Sequence, residues 1–387
     1  MLPKGWSYCR LEELSKIIDC KHRTPVYVAD GVPVISPGTI KWGPIDLVTP
    51  IKRVTYEDYQ SLMDHCQIDI GDLVMSRNQS VGVVSYIDKN QPFVLGQDTV
   101  LLKPRHIDSS FLFQFFQSVP FQRAITKQSG GSTFARINLG VIKELTIVTP
   151  PLPEQRKIAK ILSTWDKAIA TTERLLANKQ QQKKALMQRL LTGKQRFAGF
   201  EGEWKTVSVS DVCSIGRGRV ISKEDMYAHE GPYPVYSSQT LNNGVMGSID
   251  TYDFDGEFVT WTTDGVNAGT VFHRQGKFNC TNVCGTLKPI VEGLDCRFLS
   301  IALSRVAYKY VSHTLANPKL MNGVMGTVQF QMPSLGEQQK IADVIFKSGY
   351  EIEVTQKQLD NLKQQKKALM QQLLTGKRRV KVDEAAA

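Results

Sequence analysis

Two stretches of the chain place apolar residues at the spacing of a long amphipathic helix. Apolar or small residues recur about every 3.5 positions over 158–190, with a polar interruption at 179–184. The same recurrence appears over 341–373. A sustained repeat of this kind is typical of helices that pack as a coiled coil. The pattern therefore predicts two long helices, at 154–194 and 337–377.

The two predicted helices match in length without an insertion or a deletion. Both begin with Glu-Gln, at Glu154 and Glu337, and both close with Lys-Lys-Ala-Leu-Met-Gln and, after one further residue, Leu-Leu-Thr-Gly-Lys. Their starts and their closing Lys-Lys pairs, at Lys183 and Lys366, are each displaced by 183 residues. One added residue would rotate every later side chain by about 100°. The equal lengths therefore indicate two rods that pack on each other.

The segments outside the helices alternate short apolar runs with Gly and Pro, which predicts strands and tight turns. Residues 6–17 favour a strand that enters a short helix, and 110–127 predicts a helix bent at Pro120. The segment after Trp204 repeats the segment after Trp6 loosely. The other strands that we expect in the first part are 31–38, 69–76, 81–87, 93–95, 99–104 and 145–148.

The order globular unit, helix, globular unit, helix predicts an α+β fold with pseudo-two-fold symmetry. Because the chain returns through a globular unit after each helix, an antiparallel pair that separates two similar globular domains is favoured. The expected segments are a first globular domain at 1–153, a first helix at 154–194, a connector at 195–203, a second globular domain at 204–336, a second helix at 337–377 and a tail at 378–387.

Charge and composition narrow the classes of partner. The net charge is +11, from 48 Lys and Arg against 37 Asp and Glu, which favours a polyanion such as nucleic acid over an interspersed solvated surface. Residues 154–194 hold ten bases and three acids; that excess could face DNA, a partner or water. No apolar run reaches the roughly 18–20 residues of a membrane span, and the start lacks a signal-peptide layout. We therefore expect a cytoplasmic protein without membrane contact.

The seven cysteines are an odd number in a long chain, which suits reduced thiols better than a disulfide framework. Cys280 and Cys284 are four positions apart, but no second ligand pair follows at zinc spacing. Buried apolar side chains are the favoured interpretation of this pair, and no metal site is expected.

Several motifs resemble the DNA-specificity subunit of type I restriction–modification systems. They are Pro-Pro-Leu-Pro-Glu-Gln-x-Lys-Ile-Ala at 150–159, the paired Leu-Leu-Thr-Gly-Lys endings, and Gly-Phe-x-Gly-x-Trp at 199–204. The resemblance covers nearly the whole chain. It implies two target-recognition domains, each reading one half of a split double-stranded DNA sequence, held apart by two antiparallel helices.

The resemblance also implies a set of partners. Two modification subunits, which carry S-adenosylmethionine and methylate adenine, would dock on the helices, and motor–nuclease restriction subunits would join to cut unmodified DNA. No cofactor is expected in this chain.

Two other function classes are disfavoured by the residues. A self-contained restriction or methylation enzyme would need an Asn/Asp-Pro-Pro-Tyr/Phe motif to hold a flipped base, and residues 317–319 do not fit it. The lysines that follow glycine at 194 and 377 lack the spacing of a phosphate-binding loop. An adaptor that binds only protein is disfavoured by the basic charge and by polar loops at matched places. A non-catalytic DNA-binding subunit is therefore the leading hypothesis.

Polar loops of both domains carry side chains that can contact DNA. Arg, Lys, Asn and Gln on short loops can form bidentate hydrogen bonds with base edges. Loop 76–80 is the best candidate for base reading, and loop 21–24 favours phosphate contact. A solvated turn, or packing within the domain, is the alternative at each position, and Trp261 favours the core. The candidates are Lys21, His22, Arg23, Arg77, Asn78, Gln79, Ser80 and Arg136 in the first domain, and Arg217, Arg219, Gln239, Asn243, Thr263, Asn267 and Lys319 in the second.

Overall fold

Most helices and strands of the first half of the chain have a counterpart in the second half. The computed structural model describes residues 2–49, 52–129, 135–313 and 317–382. The chain divides into one unit of Met1–Arg174 with Lys357–Ala387, and a second unit of Leu175–Gln356. Each unit therefore contains one globular domain and a part of each long helix.

The first half of the chain follows the predicted alternation of short strands and helices. Its strands are β1 (Ser7–Arg10), β2 (Ser15–Asp19), β3 (Val32–Ile35), β4 (Gly43–Pro44), β5 (Arg53–Val54), β6 (Leu73–Ser76), β7 (Val84–Tyr86), β8 (Val94–Leu95), β9 (Thr99–Pro104) and β10 (Thr146–Thr149). Its helices are α1 (Leu11–Leu14), α2 (Tyr56–Met63), α3 (Ser109–Phe116), α4 (Val119–Gln128), α5 (Leu139–Glu144) and the long α6 (Leu152–Leu190).

The single bent helix predicted over 110–127 is wrong, because two helices, α3 and α4, occupy this segment. The chain turns at Ser118, whose extended backbone begins α4. Pro120 lies in the first turn of α4, where its missing N–H leaves no hydrogen bond unmade. The proline therefore starts a helix here and does not bend one.

The second half repeats most of this series of elements. Its strands are β11 (Lys205–Ser208), β12 (Cys213–Arg217), β13 (Tyr233–Tyr236), β14 (Val245–Ile249), β15 (Glu257–Thr262), β16 (Val271–Gln275), β17 (Asn279–Cys280), β18 (Cys284–Pro289) and β19 (Gln329–Met332). Its helices are α7 (Val209–Val212), α8 (Lys223–Ala228), α9 (Cys296–Val306), α10 (Asn322–Gly326) and the long α11 (Leu335–Leu373). The long helices α6 and α11 each have 39 residues.

The sheets of the two domains share their arrangement, except that β4 at the edge of the first domain's largest sheet has no counterpart in the second. The largest sheet has the order β2-β9-β6-β7-β4 in the first domain and β12-β18-β15-β16 in the second. A smaller sheet, β5-β3-β8 or β14-β13-β17, has one antiparallel and one parallel pair in both. Strand β1 pairs with β10, and β11 with β19. The predicted α+β fold with two similar domains is confirmed.

The long helices run antiparallel within each unit. In the first unit Asp166 pairs with Lys366 at 2.5 Å and Glu173 with Lys363 at 2.7 Å, so numbers rise on α6 as they fall on α11. In the second unit Lys179 pairs with Glu351 at 3.3 Å. Apolar residues at both ends of the helices pack into the domain cores, among them Ile158, Leu162 and Leu373 in the first unit and Leu190, Ile341 and Ile345 in the second.

A buried carboxylate at the start of each long helix joins it to its domain. Glu154 accepts a hydrogen bond from Trp6 Nε1 at 3.4 Å and pairs with Arg379, which follows α11. In the second unit Glu337 accepts two hydrogen bonds from Arg196, which follows α6, at 2.7 and 2.9 Å. These hydrogen bonds raise the pKa of Arg196. The Glu of each Glu-Gln pair therefore locks a globular domain to both helices.

A mostly buried histidine is expected to make the stability of the second unit depend on pH. His273 on β16 packs edge-on against Phe346, with 5.7 Å between ring centroids. Burial lowers the pKa of His273 below its ordinary value of 6.5. The unfolded chain therefore binds a proton that the folded unit does not, so stability is full above about pH 6.5 and falls as the pH decreases. Thermal unfolding of His273→Gln should depend less on pH between about 7 and 5; an unchanged slope would contradict this assignment.

Candidate nucleic-acid interface

The loop after β6 meets two other loops at one edge of the first domain. Asn78 forms an isolated β-bridge with Arg136, and its Nδ2 donates to Asp98 Oδ2 at 3.2 Å. The Arg136 guanidinium pairs with the other oxygen of Asp98 at 2.7 Å and stays half exposed. Gln79 is exposed, and its φ of 59° lies in the left-handed region. We call residues 77–80, 98 and 136 the first loop cluster.

Arg77 is the one member of this cluster that the structure places in the interior. Only 5% of Arg77 is exposed. Its Nη1 pairs with Asp19 at 2.7 Å, and its Nε donates to the carbonyl of Ile137 at 3.3 Å. With these contacts Arg77 holds three chain segments together beneath Asn78. The guanidinium is thus used within the domain, and the candidates at the surface are Asn78, Gln79 and Arg136.

The basic segment at 21–23 faces another element. Lys21 Nζ lies 2.6 Å from the Ser61 carbonyl and from Asp64, whose pKa this hydrogen bond lowers. Arg23 pairs with Asp58 on α2. His22 Nε2 lies 3.4 Å from Asp19, so Asp19 links it to Arg77. Ser80 donates to the Pro37 carbonyl at 3.0 Å. Residues 130–134, the glycine-rich segment before Arg136, lie outside the described residues.

The second domain has an equivalent cluster on equivalent strands. Asp264 forms an isolated β-bridge with Lys319, as Asn78 does with Arg136. Leu320 N donates to the Thr263 carbonyl, as Ile137 N does to that of Arg77. Thr263 is fully buried, and its hydroxyl donates to Asp264 at 2.7 Å. Residues 314–316, shortly before Lys319, lie outside the described residues.

We call residues 217, 263, 264 and 319 the second loop cluster. Asp264 pairs with both basic candidates of this cluster. Lys319 Nζ lies 3.5 Å from Asp264, and Arg217 Nη2 lies 3.4 Å from it. Arg217 also donates to the Asn282 carbonyl at 2.5 Å. Arg219 is held elsewhere, by Asp253 at 2.8 Å. The cluster thus presents Lys319 and Arg217 around one carboxylate.

Two of the remaining candidates of the second domain, Gln239 and Asn243, lie on the loop between β13 and β14, which has an unusual backbone. Asn242 and Asn243 have φ of 49° and 52°. Arg274 supports this loop from below: it is buried between Tyr236 and Phe272, and its Nη1 donates to the Asn243 carbonyl at 2.9 Å. Burial lowers the pKa of Arg274.

Two further contacts tie this loop down. Asn267 Nδ2 donates to the Ser238 carbonyl at 3.1 Å, and Gln239 Nε2 donates to the Val245 carbonyl. The amide nitrogens of Asn267 and Gln239 therefore make contacts within the domain. Arg274 was absent from the sequence-based candidates, since a buried arginine below a loop has no local sequence signal.

The carboxylates Asp98 and Asp264 are the main feature that sequence reasoning missed. Each holds the exposed cation of its cluster in place, and the negative charge of each would repel a phosphate placed beside it. The available signal was Asp98 itself, a turn residue directly before a strand. Its φ of 61° agrees with that role.

The described residues offer little support for other chemistry. No cluster of three or more His, Cys, Asp or Glu side chains among them is placed to hold a metal ion. Cys280 and Cys284 are buried, and burial raises the pKa of Cys284 to about 11. Within the described part of the chain, every helix is too short or too polar to cross a membrane.

Comparison with known proteins decides the family. The family described as type I restriction modification DNA specificity domain matches residues 3–178 and 201–364. The chain belongs to this family. A Mycoplasma pneumoniae protein named "Putative type I specificity subunit" is 39% identical over 209 residues, which cover 54% of this chain and 82% of that protein. The specificity subunit of the MpnII type I restriction enzyme from the same organism is 42% identical over 152 residues, 39% of this chain and 46% of that one.

The fold agrees with that of solved specificity subunits. A type I restriction–modification S subunit from M. genitalium superimposes with a TM-score of 0.69 at 16% identity, over 96% of this chain and 97% of that one. A chain from a study of type I restriction–modification assembly and conformational transition gives a TM-score of 0.57 at 16% identity, over 98% and 100%. The predicted role in DNA recognition within a restriction–modification complex is confirmed, and the enzyme and adaptor alternatives gain no support.

The carboxylate of the first loop cluster leads to a prediction for this specificity subunit. Asp98→Asn should strengthen binding to duplexes of random sequence by about two- to fivefold and reduce discrimination between sequences, because one repulsive charge is removed and Arg136 is released. Fluorescence anisotropy with random and target duplexes at two salt concentrations would measure this. Asp88→Asn, on an exposed turn of the same domain, is the matched control. Equal binding by both variants would show that Asp98 has no role at the interface.

Proposed function

We propose that this specificity subunit reads a bipartite DNA target, one half with each globular domain, and has no catalysis of its own. The observation that carries this proposal is the pair of loop clusters. The bridge between Asn78 and Arg136 recurs as the bridge between Asp264 and Lys319, at the same place in the matching sheets. One framework thus displays different side chains in each domain, as two readers of different sequences require.

The long helices are proposed as the spacer and as the dock for the catalytic subunits. Their equal lengths and antiparallel pairing give a rod whose register is fixed by ion pairs in each unit. Two modification subunits would bring S-adenosylmethionine and methylate adenine, and restriction subunits would add the motor and the nuclease. The exposed surfaces of α6 and α11 are the parts of the chain best suited to carry them.

Reconstituted methylation tests the proposal. The purified chain should transfer no methyl group from labelled S-adenosylmethionine to DNA, and transfer should begin when the modification subunit is added. Mapping of the methylated adenines should give two short half-sequences with a constant gap. Transfer by the chain alone would contradict the non-catalytic role, and a continuous recognition sequence would contradict the two readers.

A further inference from the structure

The second unit contains an open cleft lined by basic residues of α6, of the last turn of α9 and of the segment that follows α9. Its volume is about 650 Å³, and its lining includes Lys183, Lys184, Arg305 and Lys309. Gln180 and Gln188 add side-chain amides, and Met187 and Ile352 supply the apolar part of the lining. The cleft thus gathers four cations and two amides, all of them groups that can donate to an anion.

The equivalent place in the first unit is closed. There the lining includes Lys367, Met370 and Gln371, which are the 183-residue counterparts of Lys184, Met187 and Gln188, and the cavity measures only about 30 Å³. Lys366, the counterpart of Lys183, is 7% exposed. Its ammonium is held by Asp166 at 2.5 Å and by Gln117 at 3.2 Å. In the first unit this lysine is therefore neutralised and buried.

A single difference between the repeats removes that neutralisation in the second unit. The counterpart of Asp166 is Gly349. A Cβ placed on Gly349 would lie 3.1 Å from Lys183 Nζ, so this ammonium occupies the place where a carboxylate on residue 349 would meet it. Among the described residues, no ion pair is formed by Lys183, Lys184, Arg305 or Lys309. The cleft thus has an uncompensated positive charge.

The opposite wall of the cleft is also more positively charged than its counterpart in the first unit. Helices α3 and α9 begin at equivalent N-caps, Asp108 and Asp295, each of which accepts a hydrogen bond from the backbone N–H three residues later. After α3, the first-unit cavity is lined by the uncharged residues Gln117, Ser118, Val119 and Pro120, whereas α9 and the residues after it bring Arg305 and Lys309 to the cleft. Compared with the first unit, the second unit therefore lacks the acid at residue 349 on one wall of the cleft and has the bases Arg305 and Lys309 on the facing wall.

An adjoining cavity extends the site. It measures about 290 Å³ and shares Arg305 and Lys309 with the cleft. Tyr310, Gln329 and Gln331 line its far side. Arg305 uses one Nη1 hydrogen bond, at 3.3 Å, on the Leu191 carbonyl. Its exposed guanidinium has further donors, so it can also hold an anion between the two spaces.

We propose that the cleft is a phosphate-binding pocket present in the second unit and not in the first. A single carboxylate binds one or two cations. Four cations that line one cleft suit a ligand with several negative charges, such as consecutive phosphates. A DNA backbone and a free polyphosphate share this chemistry. The pocket adds to the proposed function and does not depend on sequence recognition, because phosphate contacts carry no base information.

The test restores the missing acid. Gly349→Asp should neutralise Lys183 and weaken binding of inorganic tripolyphosphate by about tenfold or more, whereas Gly349→Asn, of equal size and without the charge, should weaken it less than about threefold. The double variant Arg305→Gln/Lys309→Gln should repeat the loss. Lys347→Gln removes one exposed charge from the same helix and is the charge control. Calorimetry with the full chain at low ionic strength measures each affinity, and circular dichroism checks the fold.

A second arm separates the sources of phosphate. If the ligand is the DNA backbone, Gly349→Asp should also weaken binding of random-sequence duplexes, and tripolyphosphate should compete with them. If it is a free polyphosphate, duplex binding should stay at the wild-type level while tripolyphosphate binding falls. Equal binding of tripolyphosphate by wild type and Gly349→Asp would overturn the proposal, as would tighter binding of poly-glutamate than of tripolyphosphate. Target methylation by the reconstituted complex reports the two readers independently of all these outcomes.

Discussion

Substituting valine for Gly285 is expected to destabilise the second unit by about 3 kcal/mol or more. Gly285 on β18 lies opposite Trp261 on β15. A Cβ on residue 285 would lie 2.1 Å from the indole ring. The ring cannot move aside easily, because Trp261 is fully buried and its Nε1 donates to the Leu320 carbonyl at 2.8 Å. Urea unfolding of the full chain measures the loss.

The first unit shows which second change should repair this damage. In the first domain, Met75 lies at the position of Trp261, and Val100 lies opposite it at the position of Gly285. The side chains of Met75 and Val100 are fully buried. The second domain thus fills this layer of its core with one large side chain opposite a glycine. The first domain fills the same layer with two side chains of intermediate size.

The double variant Trp261→Met/Gly285→Val should therefore regain most of the stability that Gly285→Val loses, which gives a coupling energy of about 2 kcal/mol or more. Trp261→Met alone should leave a cavity and lose about 2–4 kcal/mol. Effects of the two changes that simply add would contradict the proposed equivalence of the two layers.

The long helices were predictable because their signal is local and repeated. The period of Ile158 and its successors fixes the buried face, and the constant displacement of 183 residues fixes the length of each rod. The apolar runs predicted β3, β6, β7, β8, β9 and β10 in the same way, whereas the two-residue strands β4 and β5 and the helix α2 were not predicted. The break between α3 and α4 was not predictable from Pro120, since a proline is equally suited to the first turn of a helix and to a bend.

The candidate site was only partly predictable, because the state of a side chain there depends on distant residues. Arg77 follows a strand and resembles an exposed hairpin residue, yet Asp19 and Ile137, far away in the sequence, take up its guanidinium. Asp98 and Asp264 carry the wrong charge for a DNA contact and were passed over, although each binds an exposed cation. The sequence aligns Gly349 with Asp166. The consequence of this difference became clear only from the structure, in which the Asp166 carboxylate pairs with Lys366.

Replacing Arg136 with alanine is expected to weaken binding of the target duplex by roughly 1–3 kcal/mol. Its guanidinium is half exposed, and Asp98 holds it in one orientation beside Asn78. A cation that is positioned in this way loses less conformational freedom on binding than a free surface arginine. Arg123→Ala, which removes an exposed charge from α4 of the same domain, is the matched control.

The decisive measurement is the loss of affinity on base substitution at each position of the target, compared between wild type and variant. For a base contact, Arg136→Ala should flatten discrimination at one position in one half of the target and leave the other half unchanged, whereas Arg123→Ala should at most weaken all sequences alike. Lys319→Ala should produce the same effect in the other half, because Lys319 bridges Asp264 as Arg136 bridges Asn78. If both variants relaxed the same half, the two loop clusters could not be the separate readers that the repeated sheets position. A uniform loss over all sequences would instead assign Arg136 to the phosphate backbone and leave base reading to Asn78 and Gln79.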